Sequence, residues 1–447
     1  MRQRFLSTPL NLWRMARAMI RDGRHTRLGF RRADVLFLSD GTSFSDIEGI
    51  WYDRIMDPIV ARLAARDMKS FIMSPGWLSL APRNQPSLFI QPRLEMLKIL
   101  ATIHLRFSGH PAVELNGLDS MLGELRAEEF GTVVPGQGWL FAHTARIVAL
   151  AGYFAKALRK VRPRIGLVNT YYSAEGYAFC VACHRAGVPV ADVQHGSQGR
   201  DHMAYGRWQA LPQGGYELMP DRFWCWSPAE AEAIAEWSGG TRHSPYVAGN
   251  PWRDIWRADS EAFVRPLRDQ ALALRRRSGM PHHVLVVLSW GLAEEEALKV
   301  FRALSTLPAG QHFFWIRLHP VEHGKESEVA RQARDCGLAA FDVDAASALP
   351  LYAVFAAVDL VVALGSTVVM EAEAWGLRSV VTTAYGGDIC KPSIQSGAAV
   401  LAIQEDDIAR AVRAGLAAAP MQAAAETTPA GGLDAALDNL LAVRCAR

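Results

Sequence analysis

Five short stretches of the chain combine residue types that bind phosphate or move protons. The first is Gln194-His195-Gly196-Ser197-Gln198-Gly199, with His202 and Tyr205 close behind. Glycines let main-chain amides approach a ligand closely, and an imidazole titrating near about 6.5 accepts a proton at neutral pH. His195 is therefore a candidate base, with Gln194, Gly196, Ser197 and His202 on the acceptor side. The second is Arg317-Leu318-His319-Pro320. The period of two in a strand sets Arg317 and His319 on one side, where the pair would neutralise a phosphate. The third is Gly365-Ser366-Thr367, with Glu371 one turn on. A strand turning through glycine into a helix presents free N–H groups and partial positive charge, and hydroxyls there bind phosphate. Ser366 would cap the helix in the same geometry, and Glu371 could reach a ribose hydroxyl. The fourth, Ser289-Trp290-Gly291, is a turn able to line the same donor site. The fifth runs from Ser39 to Gly49 and holds Asp40, Asp46 and Glu48, any of which could act as base or nucleophile on an acceptor. There is no Asp-x-Asp signature and no Cys/His spacing suited to a metal, so the expected chemistry is metal-independent and cofactor-free.

The elements that must position these residues alternate. Apolar runs at 33–39, 69–73, 164–169, 188–193, 221–226 and 246–249 read as strands, with helical spacing at 51–66, 142–161, 173–186 and 228–237. Residues 253–280 are charged and helix-forming, and read as a connector. A second alternation follows, with strands at 283–288, 312–318, 340–343, 360–363 and 379–382 and helices at 293–304, 326–336 and 366–375. Strand-helix-strand alternation implies parallel, doubly wound sheets. Two in succession predict an α/β chain of GT-B type, two Rossmann-like domains facing a cleft. The expected division is a basic N-terminal helix at 1–32, an acceptor domain at 33–260, a donor domain at 275–415 and a tail with a terminal helix at 416–447. Ligands of such sheets bind beyond the carboxyl ends of the strands, which is where all five stretches fall.

Bulk properties narrow the class. A chain of 447 residues with net charge +3 has material for two cores and too little charge to imply nucleic acid. Charge is concentrated at the start: nine arginines and one acid, Asp22, occupy the first 32 residues. From Leu6 to Arg24 the pattern is an amphipathic helix suited either to an anionic membrane surface or to packing on its own domain. No apolar stretch reaches the ~20 residues a spanning helix needs. Six cysteines without framework spacing suit a reducing, cytoplasmic compartment. Cys180-Val-Ala-Cys183-His184 spells a haem-attachment pattern, but it sits in an apolar helical run and reads as two buried thiols.

Taken in order, Gln194-His195-Gly196, Gly249-Asn250-Pro251, His319-Pro320 and Ser366-Thr367 resemble the bacterial capsule and O-antigen glycosyltransferases of GT-B fold, including those that transfer Kdo or sialic acid from CMP-sugars. The resemblance implies that His319, Pro320, Ser366 and Thr367 contact the nucleotide and its phosphate. The teichoic-acid glycerophosphotransferases share a His-Gly loop whose histidine is the proposed base, which points to His195, but this chain has Gly196-Ser197-Gln198 in place of their longer motif. Gly249-Asn250-Pro251 is also similar to the non-hydrolysing UDP-sugar 2-epimerases.

The expectation is a glycosyltransferase acting on a nucleotide-sugar donor, with a CMP-activated ulosonic acid as the donor and a capsule or lipopolysaccharide glycan or glycolipid as acceptor. It would work at the inner face of the cytoplasmic membrane. A glycerophosphotransferase, a UDP-sugar 2-epimerase and a non-catalytic assembly protein are the alternatives.

Overall fold

The computed structural model describes residues 29–41, 43–75, 82–109, 115–127, 136–196, 198–200, 202–206, 208–209, 211–292, 294–421 and 432–442. The basic segment 1–28 and Ser197 lie outside them. The chain divides into two compact units between Gly249 and Asn250, and the C-terminal helix Gly432–Leu441 belongs to the first.

The first unit is built on a seven-stranded sheet of order β5-β4-β1-β6-β7-β8-β9. Its strands are β1 (Val35–Leu38), β4 (Ser70–Ser74), β5 (Ser87–Phe89), β6 (Ile165–Val168), β7 (Val190–Val193), β8 (Arg222–Cys225) and β9 (Ser244–Val247), all paired in parallel. Four-residue runs such as Val35-Leu36-Phe37-Leu38 are buried on both faces, because helices cover both sides of a parallel sheet. Alternate side chains go to opposite cores. Leu36 and Leu38 meet Phe154, Leu158 and Phe179 on one face. Val35 and Phe37 meet Ile59 and Leu63 of the Met56–Ala64 helix, and Leu437 and Leu440 of the C-terminal helix, on the other. Cys180 and Cys183 are fully buried on the Ala174–Arg185 helix, in the first of these cores.

The second unit has a six-stranded parallel sheet of order β12-β11-β10-β13-β14-β15. The strands are β10 (His282–Val287), β11 (His312–Arg317), β12 (Phe341–Asp342), β13 (Leu360–Ala363), β14 (Arg378–Val381) and β15 (Ala399–Leu401).

Two local readings of the sequence change. Residues 51–66, expected to be one helix, are the second arm of an antiparallel hairpin, β2 (Phe44–Ile47) with β3 (Ile50–Asp53), followed by the shorter Met56–Ala64 helix. Asp53 ends the strand and starts the helix: its Oδ1 accepts from the N–H groups of Ile55 and Met56, each at 3.0 Å. Residues 250–260, expected in the first domain, pack with the second unit, where Trp256 meets Phe263 and Tyr352 at ring distances of 6.0 and 6.5 Å. The connector is two helices, Pro251–Ala258 and Val264–Ser278, the second burying Val264, Leu267 and Ala271.

Candidate functional site

In the first sheet the strand order reverses at β1, which lies between β4 and β6. Crevices at such a reversal hold the ligands of doubly wound sheets. Here the carboxyl ends of β1, β6 and β7 surround a cavity of about 420 Å3 lined by Ser39, Asp40, Asn169, Thr170 and His195, with Gln91, Ser173 and Glu175. Asn169 joins the two tips, its Oδ1 accepting from the Asp40 N–H at 2.8 Å. Thr170 follows at φ +67°, a left-handed conformation that a β-branched residue adopts only under constraint. That geometry sets its hydroxyl 3.3 Å from Asp40 Oδ2 and 3.4 Å from His195 Nε2. Tyr172 Oη lies 3.2 Å from the same nitrogen.

The result is a chain of polar atoms, Asp40–Thr170–His195–Tyr172, at the cavity wall. Burial holds His195 below the ordinary histidine pKa, and the Asp40 carboxylate opposes this. The imidazole is therefore neutral at pH 7 and able to accept a proton. His195 Nδ1 and Asn169 Nδ2 are buried and have no partner among the described residues.

The surrounding residues fix this arrangement. Gln194, expected to face an acceptor, is instead a buried bracket. Its amide nitrogen donates to Gly196 O and Glu230 Oε1, each at 2.7 Å, and its oxygen accepts from Trp226 N–H at 2.5 Å. Beneath the loop, the buried Asp192 accepts from Tyr205 Oη at 2.7 Å, Tyr171 N–H at 3.0 Å and Gln198 Nε2 at 3.3 Å. Burial pushes this carboxyl up to about 7. His202 packs between Tyr172 and Tyr205 at ring distances of 5.5 and 4.9 Å, and its Nδ1 accepts from Ala204 N–H. It supports the loop and does not line the cavity.

The carboxylates expected to cluster in one loop separate. Asp40 lines the cavity, whereas Asp46 and Glu48 are exposed on the β2–β3 hairpin and do not. Asp46 Oδ1 accepts from Gly49 N–H at 2.7 Å, and Glu48 takes φ +53° at the hairpin turn. The reason is the hairpin itself, which the helical spacing from Trp51 onward concealed. In their place stands Glu175, in the first turn of the Ala174–Arg185 helix and ion-paired with Lys98. Thr170, Tyr172 and Glu175 were missed in sequence. The signal was available, since Asn169-Thr170 directly follows an apolar strand, the position from which the other sites were read.

The second sheet repeats the plan. Its reversal is at β10, between β11 and β13, and the tips of these three strands carry the expected donor residues. Ser289 Oγ donates to Gly365 O at 2.8 Å, tying the β10 tip to the β13 tip. Gly291 takes φ +83° beside the exposed Trp290. His319 Nδ1 accepts from Val321 N–H at 3.3 Å across the Pro320–Glu322 turn. That bond leaves the proton on Nε2, a donor suited to a phosphate oxygen. Burial lowers the pKa of His319, keeping the ring neutral. Ser366 Oγ accepts from Val368 N–H at 3.3 Å, and Thr367 caps the Val368–Trp375 helix without a side-chain bond to it. Glu371 is half-buried in the first turn of that helix. Arg317 departs from expectation. Its Nη1 donates to Ala346 O and Leu349 O at 2.6 and 2.7 Å, holding the chain after β12. Among the described residues, no group of three or more His, Cys, Asp or Glu could hold a metal ion, and no helix is long and apolar enough to cross a membrane.

Two parallel, doubly wound sheets in one chain, each with its polar groups at the carboxyl edge, define the GT-B fold. Solved structures share it across most of their length. A candidate UDP-N-acetylglucosamine 2-epimerase from Listeria monocytogenes is 13% identical with a TM-score of 0.55, over 91% of this chain and 96% of that one. The UDP-GlcNAc 2-epimerase from Neisseria meningitidis, solved bound to UDP-GlcNAc, is 13% identical with a TM-score of 0.54, over 91% and 99%. That of Methanocaldococcus jannaschii is 12% identical with a TM-score of 0.51, over 91% and 98%. At such identity the likeness is one of fold. No family model and no curated protein matches the sequence.

Proposed function

We propose that this chain is a sugar-nucleotide enzyme that breaks the bond between an anomeric carbon and the nucleotide's phosphate. The observation that carries this reading is that each unit has its own strand-order reversal with polar groups at the strand tips. One holds a neutral histidine beside a carboxylate, and the other holds uncharged donors fit for a phosphate. In this reading His319, Ser366 and Thr367 grip the departing phosphate by hydrogen bonds and helix-terminal N–H groups, while Ser289 holds the β10 tip against Gly365. His195 moves the proton, with Asp40 and Thr170 holding its ring.

Two finer readings share that step. The solved neighbours of TM-score above 0.5 support the first, a UDP-sugar 2-epimerase. The composition of the first cavity agrees with it, since removing and returning a proton at C2 uses more than one proton-carrying group, and Asp40, Glu175 and His195 all line that cavity. The order of the His-Gly, Gly-Asn-Pro, His-Pro and Ser-Thr motifs supports the second. That reading is transfer of a sugar, such as a CMP-activated ulosonic acid, to a capsule or lipopolysaccharide acceptor.

A thermal-shift panel of CMP, CDP, UDP and GDP tests the class, and incubation with UDP-GlcNAc alone separates the readings. Stabilisation by UDP with formation of the C2 epimer supports the first. Stabilisation by CMP with turnover only when a glycan acceptor is added supports the second. Absence of stabilisation by every nucleotide would overturn the sugar-nucleotide reading itself.

A further inference from the structure

The helix Gln91–Ser108 is covered on one side only: Leu94 is its one fully buried residue. On its open side stand Met96, Leu100, Ile103 and Phe107, with relative exposures of 36, 54, 46 and 86%. Their spacing of four, three and four residues forms a single stripe along the helix. Isolated exposed leucines are ordinary on soluble proteins, whereas an apolar row of this length marks a surface that meets something. The Gln137–Val161 helix packs alongside, joined by an Arg146 Nε to Thr102 Oγ1 hydrogen bond of 3.0 Å. It adds Trp139 and Val148, exposed by 49 and 58%.

The charge around the stripe identifies its partner. The two helices hold seven cationic residues, Arg93, Lys98, Arg106, Arg146, Lys156, Arg159 and Lys160, and one acid, Glu95. That acid is paired with Lys98, which also pairs with Glu175, so the excess rests on the remaining arginines and lysines. Arg93 and Arg106 are exposed on the same helix as the stripe. A second copy docking face to face would bring cation against cation. A protein surface of ordinary mixed charge gains nothing from this excess. An anionic bilayer satisfies both features, taking the apolar row into the headgroup boundary and the arginines onto its phosphates.

We infer that the paired helices Gln91–Ser108 and Gln137–Val161 form a docking surface for anionic phospholipid membranes, with Leu100, Ile103 and Phe107 as the inserting residues. Gln91, the first residue of the stripe-bearing helix, lines the cavity that also holds His195. A docked membrane therefore lies along the helix that begins at the site. The surface stands independently of the sugar-nucleotide reading, and its test uses no activity.

The test is co-sedimentation of the full chain with vesicles of phosphatidylcholine alone or with 30% phosphatidylglycerol added, a composition of order-of-magnitude choice (about one anionic lipid in three) that gives a negative surface potential. The wild-type chain should sediment with the anionic vesicles and not the neutral ones. Two triple variants at these exposed positions, L100S/I103S/F107S and L100E/I103E/F107E, should bind at least roughly tenfold more weakly, given the apolar area withdrawn. Both variants should keep the wild-type melting temperature, and should one fail to fold the other carries the test. Wild-type binding left intact in the folded serine variant would overturn the assignment and leave the basic segment 1–28 as the anchor. Absence of wild-type binding would overturn it too, as would a concentration-dependent dimer lost in the variants without vesicle binding.

Discussion

A histidine becomes a useful base when its surroundings hold it neutral without isolating it. His195 meets both conditions, with burial lowering its pKa and Nε2 facing two hydroxyls. A lowered pKa means that the neutral base persists to lower pH. The acid limb of kcat/KM should therefore fall below the ordinary histidine value of about 6.5. His195→Gln should reduce turnover by roughly 10²-fold or more, in keeping with the loss of a general base, while the melting temperature changes little. Unchanged turnover in a folded variant would remove His195 from the chemistry. Legibility at this scale was uneven. His195 and His319 could be found because glycine or proline beside a histidine at a strand end has few structural uses. Thr170 could not be assigned from its type, because its hydroxyl reaches Asp40 and His195 only from a left-handed backbone at the β6 tip. Gln194 looked like a ligand contact by adjacency alone, and only the fold reveals its three hydrogen bonds inward.

At the scale of elements, the central strands of both sheets were readable because they are short, buried apolar runs, as in Leu360-Val361-Val362-Ala363. The β2–β3 hairpin was not, because Trp51, Ile55, Ile59 and Leu63 recur at helical spacing straight through the Asp53 boundary. The edge strands β5 and β15, of three residues each, carry too little pattern to be seen. One element controls the site more than its sequence suggests. The Ala174–Arg185 helix starts against the Thr170–Tyr171 peptide so closely that a Cβ on Gly176 would lie 2.6 Å from Thr170 O and 2.4 Å from Tyr171 O. Gly176→Ala should therefore push apart the turn that bears Thr170 and Tyr172. The expected cost is about 1–3 kcal/mol of stability, the range for overpacking. Turnover should fall by more than that loss explains, as measured by urea unfolding beside steady-state kinetics. Wild-type kinetics in this variant would show that the turn does not set the site.

For the molecule as a whole, a sequence reading assigned residues 416–447 to a tail, since Ala/Pro/Thr-rich composition before a short helix gives no sign of where that helix docks. In the structure Leu437 is fully buried against Met56, Ile59 and Leu63, and Arg62 and Arg66 form ion pairs with Asp434 and Asp438. Leu437→Ala should cost about 2–5 kcal/mol, the range for a leucine truncated in a core. Chemical denaturation monitored by tryptophan fluorescence would read it. A loss below roughly 0.5 kcal/mol, the surface range, would show that the helix is peripheral.

The same docking gives the chain an unusual order of completion. Domains generally fold as they leave the ribosome, N-terminal part first. Here one core of the first unit lacks Ala436, Leu437 and Leu440 until residue 440 has been made. The entire second unit is synthesised in between. The nascent chain thus carries an open apolar seam on its first unit while the second is being made, and a ribosome stalled between residues 249 and 432 holds a first unit that is still unfinished.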